Sequence, residues 1–207
     1  MMDMSTTIVH VVDDDASVLK ALTRVLSTEG FSVSPSQSTR EFLDRYDPGV
    51  PGCIVLDLAM PEMDGLQLQA LLEQQGVTHP VIFLTGCADI QSTVRAMKAG
   101  AIDFLTKPVD IDALLEAVRR GIDLDMEARL QRDGRCEASA LVLTLTPRER
   151  EVLRHVLSGR LNKQIAAELG IVEKTIKVHR SRMMQKLRVR SVPELVRLAE
   201  RAEVTPA

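Results

Sequence analysis

The sequence predicts an α/β domain, a doubly wound five-stranded parallel sheet, followed by a small all-α four-helix domain. Three observations predict it. Over about the first 120 residues, short apolar runs alternate with longer amphipathic stretches, the pattern of helices covering both faces of a parallel sheet. From Thr144 onward the periodicity is helical alone, punctuated by capping boxes and glycine stops. The charge divides near the same place. Residues 1–124 carry 9 Lys/Arg against 18 Asp/Glu, a balance of −9; residues 125–207 carry 17 against 11, a balance of +6. The expected bounds are 1–123 for the first domain, 124–143 for a linker and 144–207 for the second domain.

In the first half, Ile8–Val12 is a β-rich run ending in acids. Ala16–Thr28 places Val18, Leu19, Leu22, Val25 and Leu26 at helical spacing, and Gly30 stops it. Phe31–Ser34 is expected as a strand and Thr39–Arg45 as a short helix. Cys53–Leu56 and Val81–Leu84 are apolar without alternation, as in strands buried on both faces. Asp64–Gln75 and Asp89–Ala99 read as helices ended by Gly76 and Gly100. Ile102–Leu105 is the last strand and Ile111–Ile122 the last helix. Asp123–Ser139 is polar, contains Gly134 and lacks a clear stripe, so a partly helical linker is expected. Thr146-Pro147-Arg148-Glu149 and Ser191-Val192-Pro193-Glu194 open the first and fourth helices of the second half. Between them, Asn162 starts a second helix stopped by Gly170, and a third runs from about Glu173 to Leu187. The second and third, joined by a tight Gly-Ile turn, form a helix-turn-helix pattern.

Composition narrows the function classes. Of 207 residues, 45 % are apolar and 27 % charged, which argues against a disordered chain. No apolar run approaches the roughly 18–20 residues of a membrane span. Met1–Thr7 lacks the basic start and apolar stretch of a signal peptide, so a cytoplasmic location without membrane partners is expected. Cys53, Cys87 and Cys136 lack metal-ligand spacing and fit a reducing compartment.

In an open α/β sheet, chemistry gathers beyond the carboxyl ends of the strands. Those ends carry Asp13-Asp14-Asp15, Asp57, Thr85-Gly86 and Lys107-Pro108. If the first and third strands are neighbours, Asp13, Asp14 and Asp57 converge. Their repulsion calls for a cation, and Mg²⁺ suits an all-oxygen site. A carboxylate is also a nucleophile that forms aspartyl-phosphate, and a metal, an ammonium and a hydroxyl suit the phosphoryl oxygens. Asp57, Mg²⁺, Lys107 and Thr85 fit those roles.

With these stretches in view, residues 8–122 resemble the receiver domain of two-component response regulators, a flavodoxin-like fold. The likeness rests on Val11-Val12-Asp13-Asp14-Asp15, Leu56 to Gly65, Leu84-Thr85-Gly86, Ala96 to Ala101 and Asp103 to Pro108. It implies that Asp57 accepts a phosphoryl group from a sensor histidine kinase. Asp14, Asp57 and the carbonyl of Ala59 would hold Mg²⁺, with Asp13 holding a metal-bound water. Thr85 and Lys107 would bind the phosphoryl oxygens, and Phe104 would change rotamer as Thr85 moves. The Lys107–Pro108 bond is expected to be cis. Ala59 and Cys87 stand where the family tunes phosphoryl lifetime.

In the basic half, Lys174–Arg190 holds seven Lys/Arg and no acid. On a helical wheel, Ile176, Met183, Met184 and Leu187 face inward, while Lys174, Val178, Ser181, Arg182 and Gln185 face out. Lys177 lies on one flank, Thr175, His179 and Lys186 on the other, and Arg180 nearer the core. That face suits a major groove, with Lys and Arg reaching guanine acceptors and Val178 a thymine methyl. Flanking Thr175, His179, Arg182 and Lys186 can fix phosphates.

Residues 144–202 resemble the LuxR-type DNA-binding domain through Leu145 to Leu153, Asn162 to Ala166, Leu169-Gly170-Ile171 and Lys174 to Arg180. The domain order resembles the NarL/FixJ family, and within it the FixJ-like branch. This resemblance implies base contacts from Lys177, Val178 and Ser181, phosphate contacts from Asn162, Lys163 and His179, and dimer contacts through Pro193–Arg201. Val172 replaces the usual Ser or Thr that caps the recognition helix. The expected function is a response regulator that, once phosphorylated, dimerises on promoter DNA and activates transcription, with RNA polymerase as a further partner. It is not an enzyme beyond its own phosphoryl chemistry. The alternatives are a phosphatase-like enzyme with an Asp nucleophile, against which Ala59 replaces the required general acid, and a receiver with a non-DNA output.

Overall fold

The computed structural model describes residues 7–86 and 100–207; Cys87 and the helix expected at Asp89–Ala99 lie outside them. The chain divides into two compact units, Met1–Ala128 and Arg129–Ala207. No helix among the described residues is long and apolar enough to cross a membrane.

The first unit is built on five strands: β1 (Ile8–Val12), β2 (Ser32–Ser36), β3 (Gly52–Asp57), β4 (Val81–Thr85) and β5 (Asp103–Thr106). Their order is β2-β1-β3-β4-β5, and every pairing is parallel. The chain therefore reverses its direction of winding between β1 and β3, which opens a crevice at their carboxyl ends. Side chains alternate across the sheet. Val9, Val11, Cys53, Val55, Ile82 and Leu84 point to one layer. There they meet Leu19, Leu22 and Leu26 of α1 (Ala16–Thr28) and Leu114, Val118 and Ile122 of α4 (Ile111–Leu143). Val12, Ile54, Leu56, Val81 and Phe83 point the other way, to Phe42 of α2 (Thr39–Arg45) and Leu68 and Leu72 of α3 (Gly65–Gln74). Both faces are covered, so the central strands read as unbroken apolar runs.

Strand β2 begins one residue later than the sequence pattern suggests and includes Pro35. Phe31 turns into the core instead, and a proline is tolerated because β2 pairs only with β1, at the sheet's edge. Gly52 opens β3 because a Cβ there would lie 1.8 Å from the Ile8 carbonyl oxygen. Helix starts follow their caps: the Asp15 side chain accepts from the amides of Ser17 and Val18, and Asp64 forms a capping box with Gln67.

The largest departure from the sequence reading is α4. A helix ending at Ile122 and a partly helical linker over 124–143 were the expectation; the helix runs unbroken to Leu143. Asp123–Leu143 holds four Leu, three Ala, three Arg and two Glu, all strong helix formers. Gly134 alone costs about 1 kcal/mol against Ala, which does not stop a helix. Asp125 and Met126 pack within the first unit, whereas Leu141 and Val142 join the core of the second.

That second core is closed by α5 (Pro147–Leu157), α6 (Asn162–Leu169), α7 (Glu173–Lys186) and α8 (Val192–Arg201). Val152, Leu153, Ile165, Ile176, Met183, Leu187 and Leu195 are its fully buried members. Thr146 caps α5 in a box with Glu149, and Pro147 sits at the first helical position. Gly170 adopts φ +65° between α6 and α7, a left-handed turn that glycine takes without steric cost.

Candidate functional site

The carboxyl ends of β1 and β3 lie side by side, since Val12 is in register with Leu56. That register brings together Asp13, just past β1, and Asp57, the last residue of β3. Asp13 is fully buried; its Oδ1 accepts the Asp15 amide at 3.0 Å and its Oδ2 accepts Lys107 Nζ at 2.7 Å. Asp57 Oδ2 accepts the same ammonium at 3.0 Å, and its Oδ1 accepts the Ala59 amide at 3.4 Å. Asp14 is exposed, yet Asp13, Asp14 and Asp57 each offer an oxygen within 4.8 Å of the others.

Lys107 reaches this point from the loop after β5. Its amide donates to the Thr85 carbonyl at 2.7 Å, and its peptide bond to Pro108 is cis, as expected. Thr85, buried at the end of β4, is in register with Thr106, one residue short of Lys107. Phe104 is in register with Phe83 and packs half-buried against the second apolar layer. Ala59 sits exposed in the loop after β3.

Burial raises the Asp13 carboxyl above its usual range, although the Lys107 hydrogen bond and charge oppose the rise. Burial pulls on Lys107 downward, but its hydrogen bonds to Asp13 and Asp57 outweigh that and move it up. Two carboxylates then touch one ammonium, with the Asp14 carboxylate beside them. An all-oxygen, electron-rich crevice of this kind suits a hard divalent cation.

In the second unit, Lys174, Lys177, Val178, Ser181 and Arg182 are exposed on α7, and Thr175 and His179 are half-buried at its edge. Ile176, Met183 and Leu187 face inward. Lys163 is exposed on α6, while Asn162 Oδ1 accepts Arg180 Nη1 at 3.0 Å. Lys186 is half-buried on α7. Its ammonium donates to the buried Glu149 at 2.7 Å and to the Thr144 carbonyl at 3.3 Å, bracing α7 against α5. Glu149 was legible as a capping residue, but nothing in the sequence links it to a lysine 37 positions away. Val172 is the N-cap of α7 and makes no side-chain cap bond.

Residues 9–119 match the response regulator receiver domain, and residues 143–199 match the bacterial regulatory proteins of the luxR family. Nodulation protein W of Bradyrhizobium diazoefficiens is 42 % identical over 193 residues, covering 93 % of this chain and 85 % of that protein. The transcriptional regulatory protein FixJ of Azorhizobium caulinodans is 42 % identical over 199 residues, covering 96 % and 94 %. A structure of the response regulator StyR superposes with a TM-score of 0.86 at 46 % identity, covering 94 % of this chain and 98 % of that one.

Proposed function

The chain belongs to the response regulators that pair a receiver domain with a LuxR-type DNA-binding domain, and we propose that it regulates transcription in response to phosphorylation of Asp57. Its relatives are regulators with a DNA-binding output, not enzymes, so the phosphatase alternative is set aside. One observation carries the assignment of Asp57: its carboxylate, at the end of a central strand, touches the Lys107 ammonium at 3.0 Å beside a second, buried carboxylate.

The donor is a phosphohistidine of a sensor kinase. An Asp57 oxygen attacks phosphorus, the P–N bond breaks, and the imidazole leaves with the electron pair. Lys107 stays beside the new phosphoryl group and pairs with its charge, and the Thr85 hydroxyl donates to one of its oxygens. Asp14, Asp57 and the Ala59 carbonyl are assigned to Mg²⁺, with Asp13 acting through a water. The three clustered carboxylates support that assignment. Bound Mg²⁺ would neutralise charge on the transferring phosphoryl oxygens. Movement of Thr85 draws Phe104 after it and reshapes the surface around β5.

For output, Lys177, Val178 and Ser181, with Lys174, face base edges in the major groove, and Arg182 fixes a phosphate. Asn162, Lys163, Thr175 and His179 hold phosphates. Lys186 is reassigned as a brace for α7. The phosphorylated protein acts in the cytoplasm as a dimer on paired half-sites and activates transcription with RNA polymerase.

Incubation with acetyl phosphate and Mg²⁺, followed by peptide mapping, tests the acceptor. Wild type is expected to gain one phosphoryl group on the peptide holding Asp57, and Asp57→Asn none. Labelling of Asp57→Asn to the wild-type extent would overturn the assignment.

A further inference from the structure

At the opposite end of the sheet from Asp57, a buried carboxylate lies outside the phosphoryl site. Asp125 is on α4, three residues before the first unit ends at Ala128. It is 1 % exposed, and its Oδ2 accepts the Gly52 amide at 2.9 Å. Gly52 is the first residue of β3, and Asp57 is the last. The same six-residue strand thus carries the phospho-acceptor at one end and a hydrogen bond to the interdomain helix at the other.

The point that Asp125 grips is fixed. The Ile8 carbonyl lies where a Gly52 Cβ would stand, and the Ile8 amide donates to the Pro51 carbonyl at 2.8 Å. The rest of this helix face, Leu114, Leu115, Ala117, Val118 and Ile122, is apolar. Apolar contacts are non-directional and tolerate sliding and rotation. A hydrogen bond is directional, so this one sets the register of the helix.

The wall around Asp125 is also ordered. His79 Nε2 lies 2.8 Å from the Val50 carbonyl, which can only accept, so Nε2 carries the proton and Nδ1 accepts from the Tyr46 hydroxyl. His79 Nε2 is 3.9 Å from Asp125 Oδ2, too far for a hydrogen bond while committed to Val50. A polar side chain is buried in such a place at a cost that its hydrogen bond to the Gly52 amide offsets.

We infer that Asp125 is the positioning residue that ties the interdomain helix to the foot of β3, and that this tie carries the state of the Asp57 site to the helix leaving the receiver. The inference rests on the proposed reading of Asp57, and the test separates the two.

Hydrogen–deuterium exchange on the full chain reads the tie without phosphorylation. Peptides covering 121–135 should exchange roughly tenfold faster in Asp125→Ala than in wild type. Asp125→Asn keeps an oxygen for the Gly52 amide and should stay close to wild type. Adding Mg²⁺ and beryllofluoride reads the coupling. Wild type should change its exchange across residues 129–201, and Asp125→Ala should bind beryllofluoride with the wild-type midpoint yet lose that change; no change in beryllofluoride-bound wild type would overturn the coupling. Equal exchange of 121–135 in all three proteins would overturn the anchor, as would a full response across 129–201 in Asp125→Ala. So would loss of that response in Asp125→Asn to the same degree as in Asp125→Ala. If wild type takes no phosphoryl group on Asp57, the reading of Asp57 fails, and the exchange of 121–135 still decides the tie.

Discussion

Two buried side chains in the first unit show how burial sets the chemistry of single groups. Cys53 is fully buried under α4, and its thiol donates to the Val118 carbonyl at 3.9 Å. Burial, with a smaller contribution from Asp125, pushes the thiol pKa up to about 12. Thiolate is the reactive form. Iodoacetamide on the native protein should therefore modify exposed Cys136 and leave Cys53 intact until the chain unfolds; comparable modification of both would contradict this. His10 packs in T-shaped contacts with Phe42 and Tyr46. Its Nε2 has no hydrogen-bond partner among the described residues. Burial first, and the neighbouring His79 second, lower its pKa from 6.5 to about 4. The unfolded chain then binds a proton below pH 6.5 that the folded chain refuses until about pH 4. Stability contributed by keeping His10 neutral is complete above pH 6.5, falls by up to about 3 kcal/mol towards pH 4, and is level below it. His10→Phe keeps the ring and should remove that part of the pH dependence. Parallel stability curves for the two proteins between pH 4 and 6.5 would contradict it.

Helix ends account for much of what the sequence revealed about the elements. Asp15, Asp64, Thr146 and Ser191 cap the helices that their patterns announced. The α7 N-cap is the exception. Val172 has the extended backbone of a cap, φ −78° and ψ 147°, but a side chain that cannot accept, and it is 68 % exposed. Val172→Ser should stabilise the second unit by about 1 kcal/mol, read as a higher denaturant midpoint for its transition; an unchanged or lower midpoint would show that the cap is not limiting. The α4 extension was illegible for a different reason. Its polar stretch has no apolar stripe to reveal it, and its helicity comes from propensity, with only Asp125 and Ala138 buried beyond Ile122 and Met126, Leu141 and Val142 half-buried. The links Lys186–Glu149 and Asp125–Gly52 were hidden because each joins residues far apart in sequence. Asp13, Asp14, Asp57 and Lys107 were legible because a parallel sheet gathers its strand ends on one edge, so counting strands was enough to converge them.

Across the whole molecule, an acidic unit that concentrates carboxylates on one crevice precedes a basic unit that displays Lys and Arg on one helix. The helix Ile111–Leu143 is continuous in the chain from one unit to the other. The proposed phosphorylation of Asp57 would add charge for Lys107 and Thr85 to meet, and its proposed consequence is the pairing of two copies. Beryllofluoride with Mg²⁺ mimics the aspartyl-phosphate without a kinase, and light scattering reads the mass of the whole chain. Wild type should shift from the 22.9 kDa monomer to about twice that mass on adding both, while Asp57→Asn stays monomeric. A wild type that keeps its monomer mass with beryllofluoride bound, or an Asp57→Asn protein that dimerises equally, would contradict Asp57 as the switch for assembly.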